Sequence, residues 1–421
     1  MRILVIGSGG REHTIIRKLR QSPKVDKIYA APGNGGISKD AECINIGAMD
    51  KAGIVEFSKK NAVDLVFVAP DDPLAAGMVD TLLANGIRAF GPRAEAAVIE
   101  SSKVFSKNMM KKYHIPTADY EVFDDPAKAI AYIEEKNKYP VVIKADGLAL
   151  GKGVIIAQTQ SEARDAVREI MEDKKFGDSG NNIVVEEFLT GPEVSVLAFT
   201  DGISLVPMVS SKDHKRAYDN DEGLNTGGMG TISPNPYYTP EIAEICRKTI
   251  FEPTVAAMNS ENRTFKGCLY FGLMITPDGP KVIEYNARFG DPEAQVVLPR
   301  LKTDLVDIIE AVIDERLSQL TIEWSEEATA CVVMASGGYP LAYKKGLEIT
   351  GLDENGQLEG VEIFHAGTKL ENGKFYTNGG RVLGVTASGR TLDEALDKAY
   401  AAVGRISFEG AHYRKDIGRT K

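Results

Sequence analysis

Glu284, Asn286 and Arg288 alternate along the apolar run VIEYNAR (282–288). On a β-strand alternate residues share a face, so these three side chains are predicted to point the same way. A carboxylate beside an amide oxygen suits a hard divalent cation, which keeps some waters and bridges phosphates. A guanidinium next to them could clamp a transferring phosphoryl group or a carboxylate. Lys144 ends a second apolar run, PVVIKA (140–145), and is followed by Gly147, Gly151, Lys152 and Gly153. A lysine beside a glycine loop suits a polyphosphate, with Lys103 upstream as a second cation. The spacing approaches a P-loop without being one: Asp146 stands at the first glycine, Gly153 replaces Ser or Thr, and a strand follows instead of a helix.

Three further groups stand out. Gly7-Ser8-Gly9-Gly10-Arg11-Glu12-His13 joins a strand to a helix, a turn that aims N–H groups and the positive end of a helix dipole at an anion. Glu12 occupies the third glycine of the dinucleotide fingerprint, and no acid ends the next strand, so a monophosphate fits better than NAD. Asp71-Asp72 follows the apolar strand 64–69, where the carboxylates could accept from sugar hydroxyls or cap the helix starting near Pro73. Glu186, Glu187, Leu189 and Glu193 follow another strand and could meet adenine and ribose, although a glutamate at a strand end is more often solvated. Between these and Glu284 lies the polar stretch Ser210–Gly230, with Asp213, Lys215, Asn225, Thr226 and Gly227, able to hold a small zwitterion by acid and base. His214 within it reads as structural.

The elements that must position these residues alternate in type. Strands at 2–6, 27–31, 64–69 and 87–91, separated by helix-length segments, predict a parallel sheet with a ligand at its carboxyl edge. A Lys-rich helix (102–118) opens a second unit. Its strands are predicted at 120–123, 140–146, 154–157, 183–189 and 193–202, and its helices at 126–138, 161–173 and 303–317. Residues 267–276 and 280–290 read as a hairpin. The stretch 174–182 reads as a mobile loop, and 210–236 as a long aperiodic one. From 326 short strands and a helix at 392–404 predict a small β-rich unit. The expected division is 1–101, 102–325 (with a mobile subdomain near 120–190) and 326–421.

Fifty basic against sixty acidic residues give a net charge of −10, which argues against a nucleic-acid partner. The four cysteines lie far apart with no CxxC spacing, against a disulfide framework or structural zinc. No apolar run approaches the ~20 residues that span a bilayer. A cytoplasmic monomer acting on small molecules, with no membrane partner, is expected.

Taken together, GSGGREH (7–13), KADGLALGKGV (144–154), GPEVS (191–195), DHKRAYDNDEGLNTGGMG (213–230) and EYNARFGDPE (284–293) resemble the ATP-grasp carboxylate–amine ligases, and among them the glycinamide ribonucleotide synthetases. The resemblance implies an N-terminal Rossmann-like domain, a two-subdomain ATP-grasp core and a small β-rich third domain. It implies ATP-dependent joining of glycine to 5-phosphoribosylamine in purine biosynthesis; the alternative is another ATP-grasp ligase or carboxylase with a different acid and amine. Lys103, Lys144, Gly147, Gly151, Lys152, Gly153, Glu186, Glu187, Leu189 and Glu193 would bind ATP. Glu284 and Asn286 would carry Mg²⁺ or Mn²⁺. Gly9, Gly10, Arg11, Glu12, Asp71, Asn225, Thr226, Gly227, Arg288 and Gly290 would bind the other substrates, and Lys144, Asp213, Lys215 and Arg288 would assist the chemistry. Asp71 stands where the family usually has glutamate.

Overall fold

A computed structural model describes residues 1–148 and 153–419. Gly151 and Lys152 of the glycine loop lie outside the described residues. The chain opens with a parallel sheet of β1 (Arg2–Gly7), β2 (Lys27–Pro32), β3 (Glu42–Cys43), β4 (Leu65–Val68) and β5 (Ala89–Phe90), ordered β3-β2-β1-β4-β5. Alternation along β1 divides its side chains between two cores: Leu4 and Ile6 enter one, Ile3 and Val5 the other. A sheet buried on both faces needs such continuous apolar strands. The strand order reverses between β1 and β4, which opens a crevice at their carboxyl ends, beside α1 (Gly10–Leu19) and Asp71. The two-residue β3 is too short to leave a periodic signal in the sequence.

The middle of the chain builds two antiparallel sheets. One runs in the order Tyr120–Phe123, Ile183–Glu187, Val141–Ala145, Val154–Ala157. Helices Pro126–Lys136 and Gln160–Met171 cover it, and their N-caps are Asp125, which accepts from the Lys128 N–H, and Thr159, which accepts from Glu162. The other sheet pairs Glu193–Thr200 with Gly267–Thr276 along its whole length, then Gly267–Thr276 with Gly279–Asn286. The predicted hairpin is thus present, but its second strand stops at Asn286 and leaves Arg288 beyond it.

The aperiodic stretch 210–236 is built into the structure. Lys212–Asp213 and Gly230–Ser233 form two strands of a third sheet, with Ala328–Ala335, Arg381–Gly389 and Glu362–His365. That sheet therefore takes strands from both sides of residue 326. Between them, Arg216–Tyr218 and Glu222–Asn225 pair as a separate hairpin. Strands of two to four residues are too short to show an alternation. Helix Leu392–Val403 packs on the third sheet. The stretch 174–182 contains a short 3-10 turn, Gly177–Gly180. Among the described residues no helix is long and apolar enough to cross a membrane.

Candidate active site

One cleft of about 1140 Å³ gathers side chains from all three parts of the chain. Its walls include Arg11 and Asp71 from the first sheet's edge, Lys103 from helix Lys103–Lys112, Lys144, Gly147, Gly153, Glu186, Glu187 and Leu189 from the first antiparallel unit, Glu193 from the start of the second antiparallel sheet, Asp213, Lys215, Asn225, Thr226 and Gly227 from the 210–230 stretch, and Glu284, Asn286 and Arg288 from the hairpin and its end. Gly9, Gly10, Glu12 and Gly290 do not line it.

The reason is local. The Gly9 N–H donates to Glu12 Oε2 at 2.6 Å, the backbone half of a capping box, which places the Glu12 carboxylate over the helix start. A side chain on Gly10 would run into Gln295, and one on Gly290 into Glu293. Asp291 lies against the same turn and is held below the usual carboxylate range: burial pushes it up, but Arg381 and Arg11 outweigh burial. The positive end of α1 is thus covered by protein carboxylates, and Arg11 is the member of this turn that reaches the cleft. Its Nε donates to Glu12 Oε1 at 2.6 Å and its NH1 to the Phe289 carbonyl at 3.0 Å.

Glu186 lines the cleft beside two cations. Its buried carboxylate lies 3.0 Å from Lys107 Nζ and 3.1 Å from Lys144 Nζ. The carboxylate is a counter-charge to both lysines, and its Oε1, buried without a hydrogen-bond partner, is an acceptor left for a ligand. The carboxylate of Glu187 accepts from the Asp119 N–H at 3.1 Å, so it too is engaged. Lys103 donates to the Gly147 carbonyl at 2.8 Å. Lys103 and Lys107 are spaced i,i+4 on helix Lys103–Lys112, one face of which borders the cleft. Burial pulls Lys107 down to about 8 despite Glu186, and lowers Lys103 as well. Gly147 has φ +138° and its missing Cβ leaves room for the Ser179 side chain. Gly147→Ala is expected to weaken the binding of a polyphosphate ligand about tenfold through a displaced loop, a residue with φ > 0 costing about 1–3 kcal/mol; unchanged binding would mean the loop does not meet it.

At the hairpin end, Glu284 Oε1 lies 3.4 Å from Lys215 Nζ, and Glu193 Oε2 lies 3.6 Å from the same nitrogen. Lys215 above all, with Lys144 and Lys103 and against burial, holds the Glu284 carboxyl at about 2. Glu284 sits opposite Gly272, whose absent side chain leaves room for the Glu284 stem. Arg288 NH2 donates to Asn286 Oδ1 at 3.1 Å and lies 2.9 Å from Glu100 Oε1, with Asp71 at 4.0 Å. Burial opposes the Arg288 charge, but Glu100 and Asp71 more than offset it. Its Nε is buried without a partner, a donor left for a ligand. Burial raises the Asp71 carboxyl, yet Arg288 and Arg11 keep it below its ordinary range.

Asp213 is pushed well up, by burial first and then by Glu293. Glu293 Oε1 accepts from the Tyr270 hydroxyl at 3.0 Å, and that hydroxyl lies 2.8 Å from Ser195 Oγ. Arg381 donates to the Gly227 and Asp291 carbonyls, the latter at 2.6 Å, and Tyr339 accepts from the Gly227 N–H at 3.1 Å. His214 donates from Nδ1 to the Gly230 carbonyl and accepts the Gly418 N–H at Nε2, a structural tie.

Sequence reasoning missed Glu100, Lys107, Tyr270, Glu293, Asp291, Tyr339 and Arg381. Lys107 had a signal in its spacing from Lys103, and Asp291 and Glu293 lie just past Arg288. Glu100, Tyr270, Tyr339 and Arg381 carried none, because only the fold brings them there.

A divalent cation suits the donor set. Glu284 is ionised at any working pH, and Asn286 supplies a neutral oxygen. Two protein oxygens leave the remaining positions to phosphate oxygens and water. Among the described residues no three His, Cys, Asp or Glu side chains cluster as a metal cage.

Two antiparallel units enclosing a cleft, with a lysine and glycine loop in one and a carboxylate–amide pair in the other, define an ATP-grasp enzyme. Family models agree: the phosphoribosylglycinamide synthetase N domain matches residues 1–100, its ATP-grasp (A) domain 101–294 and its C domain 329–420. The chain belongs to the phosphoribosylglycinamide synthetase family. It is 48% identical to a phosphoribosylamine–glycine ligase of Clostridium acetobutylicum, over all of both chains. The crystal structure of a Thermotoga maritima phosphoribosylamine–glycine ligase, 33% identical, superposes with a TM-score of 0.86 over 99% of this chain and 100% of that one. The fold extends further, to the biotin carboxylase domain of a Hydrogenobacter thermophilus 2-oxoglutarate carboxylase bound to MgADP (TM-score 0.74, 15% identity, 98% of this chain and 91% of that one).

Proposed function

We propose that this enzyme joins the carboxylate of glycine to the amine of 5-phosphoribosylamine, converting ATP to ADP and phosphate and releasing glycinamide ribonucleotide. The observation that supports this most is a single cleft in which Arg11 and Asp71 meet Glu284, Asn286 and Lys144, with Asp213 and Lys215 on a third wall. A carboxylate is a poor acylating agent. Glycine oxygen must therefore attack the γ-phosphorus first, giving glycyl phosphate and ADP; the amine then attacks the acyl carbon and phosphate leaves. Neither step needs a protein nucleophile, so the side chains position reactants and offset charge.

Lys103 and Lys144 would meet the ATP phosphates, and the backbone of 187–189 the purine. Arg288, anchored by Glu100, would face the carboxylate or the transferred phosphoryl group through its spare nitrogen. Lys215 and Asp213 would take the two ends of glycine. Asp71 would accept from the ribose hydroxyls, and Arg11 would meet the ribose phosphate. Magnesium or manganese held by Glu284 and Asn286 would neutralise charge building on the phosphate oxygens. The amine must arrive unprotonated and lose a proton on acylation, which suits a cleft that excludes bulk water. The enzyme is expected to act as a monomer in the cytoplasm.

ADP release is the test, measured with ATP, magnesium and glycine, with and without freshly generated 5-phosphoribosylamine. Turnover that needs both supports the reading; turnover with another acid alone would overturn the substrate assignment. Arg11→Ala is expected to raise the KM for the ribosylamine at least tenfold and leave that for ATP unchanged, a charge-assisted bond being worth about 1.5–3 kcal/mol. A change confined to ATP would move the phosphate site away from the first domain.

A further inference from the structure

The hairpin Arg216–Tyr218/Glu222–Asn225 connects Lys215 to Thr226, and its two strands pair only with each other among the described residues. Its turn holds Asn220 and Asp221 at φ +59° and +55°, a conformation that side chains adopt at a cost. A two-stranded ribbon is marginal alone. What fixes it is the segment 412–418, which follows the last helix. Arg414 is fully buried and meets Asp416 through Nε and NH2, each at 2.8 Å. Its NH1 reaches the hairpin, donating to Asp221 Oδ1 at 2.8 Å and to the Arg216 carbonyl at 3.2 Å. The contacts continue on either side. The Asn220 N–H donates to Asp416 Oδ2 at 2.8 Å, the Lys415 N–H to Asp219 Oδ1 at 2.7 Å, and His412 Nε2 to the Ala217 carbonyl at 2.7 Å. Tyr400 closes the back, donating its hydroxyl to the Arg414 carbonyl and accepting the Ile417 N–H.

This geometry has a consequence for the cleft. Lys215 and Thr226 are directly linked, the Thr226 N–H and Oγ1 both donating to the Lys215 carbonyl. A shift of the hairpin moves both, together with Asn225. We propose that the segment 412–418, acting through Arg414, is a strap that positions the Lys215–Asn225–Thr226 wall, so that residues near the end of the third domain set the affinity for the small zwitterion without touching it. Arg414 is a positioning residue. It spends its charge on Asp416 and Asp221, and its planar fork meets Asp416 and the hairpin at once, which an ammonium could not do.

The test spares the buried guanidinium. Asp219→Ala and the double variant Asp219→Ala/Tyr400→Phe loosen the strap at side chains that, unlike Asp221, do not line the cleft. Amide exchange at 216–225 should speed up while the rest of the chain is unaltered. The KM for glycine, an arm that rests on the reading of function above, should rise about tenfold in the double variant, with the KM for ATP and the thermal midpoint unchanged. Unaltered exchange, faster exchange with an unchanged KM for glycine, or a parallel loss of every constant and of the midpoint would each overturn the strap. Should the wild type show no glycine-dependent turnover, the function reading falls, and exchange alone decides the strap.

Discussion

Glu284→Gln is expected to lower kcat by on the order of a hundredfold or more while the enzyme stays folded, because it removes the anionic ligand that would hold the cation against the charge building on the phosphate oxygens. Glu284 is the anionic donor of the carboxylate–amide pair, and it is also the group that Lys215, Lys144, Lys103 and Arg288 all face. Glutamine keeps the shape, the stem lying across Gly272 and an oxygen within reach of Lys215, but not the charge. Two effects follow. The cation's affinity drops, so the magnesium dependence of the rate moves to higher concentration. The Lys215 ammonium, held well above its ordinary pKa chiefly by Glu284 and then Glu193, loses its main partner. A magnesium titration separates them: a defect that saturating metal repairs is one of cation affinity, and a residual deficit reports the altered Lys215. A variant with wild-type rate at limiting magnesium would remove Glu284 from the metal site.

The second large effect concerns stability in acid. His365 is buried, accepts from the Thr368 hydroxyl at Nδ1 and donates to the Gly356 carbonyl at Nε2. Burial lowers it from 6.5 to about 3, and lowers His214 to about 4. His13 joins the first domain to the third, accepting the His365 N–H at Nδ1 and meeting Asp40 at Nε2, and burial lowers it too. The sign follows from proton counting. Below pH 6.5 the unfolded chain binds protons at these rings and the folded chain does not, so stability is complete above 6.5 and is lost as pH falls toward the folded values. Each neutral ring contributes about 1.4 kcal/mol per pH unit. His214 and His365 together should remove about 3 kcal/mol between pH 6.5 and 5. Urea unfolding across that range measures the slope. His365→Gln, which keeps a donor and an acceptor, should reduce it by about half, whatever its effect at neutral pH. A slope unaltered by that variant would show that His365 is protonated in the folded enzyme.

Much of this molecule is legible in its residues. The alternation of Glu284 and Asn286 places them on one face by the geometry of a strand, Arg288 follows just past the strand's end, and all three share the cleft with Lys144 and Lys103. The first sheet follows from apolar runs ended by glycine or proline turns, and its crevice from the order in which such strands connect. These are local properties, set by periodicity and turn chemistry within a few residues of each site. The resemblance to ATP-grasp ligases likewise rests on contiguous motifs.

What tertiary structure alone decided is how charges pair. Nothing near Glu186 in sequence announces Lys107, which stands 79 positions earlier yet lies 3.0 Å from its carboxylate. Glu100, which anchors Arg288, reads as one acid on a short helix. The helix start at Gly9–Arg11 carries the pattern of an anion site, but Glu12 and Asp291 cover it, a competition visible only once residues 280 positions apart are side by side. The stretch 210–236 lacks periodicity because its order comes from Arg414 and Asp416 and from strands beyond residue 326. Local pattern determines which face a side chain takes. Which opposite charge it then meets depends on chain closure over hundreds of residues, for which a single sequence holds no periodic trace.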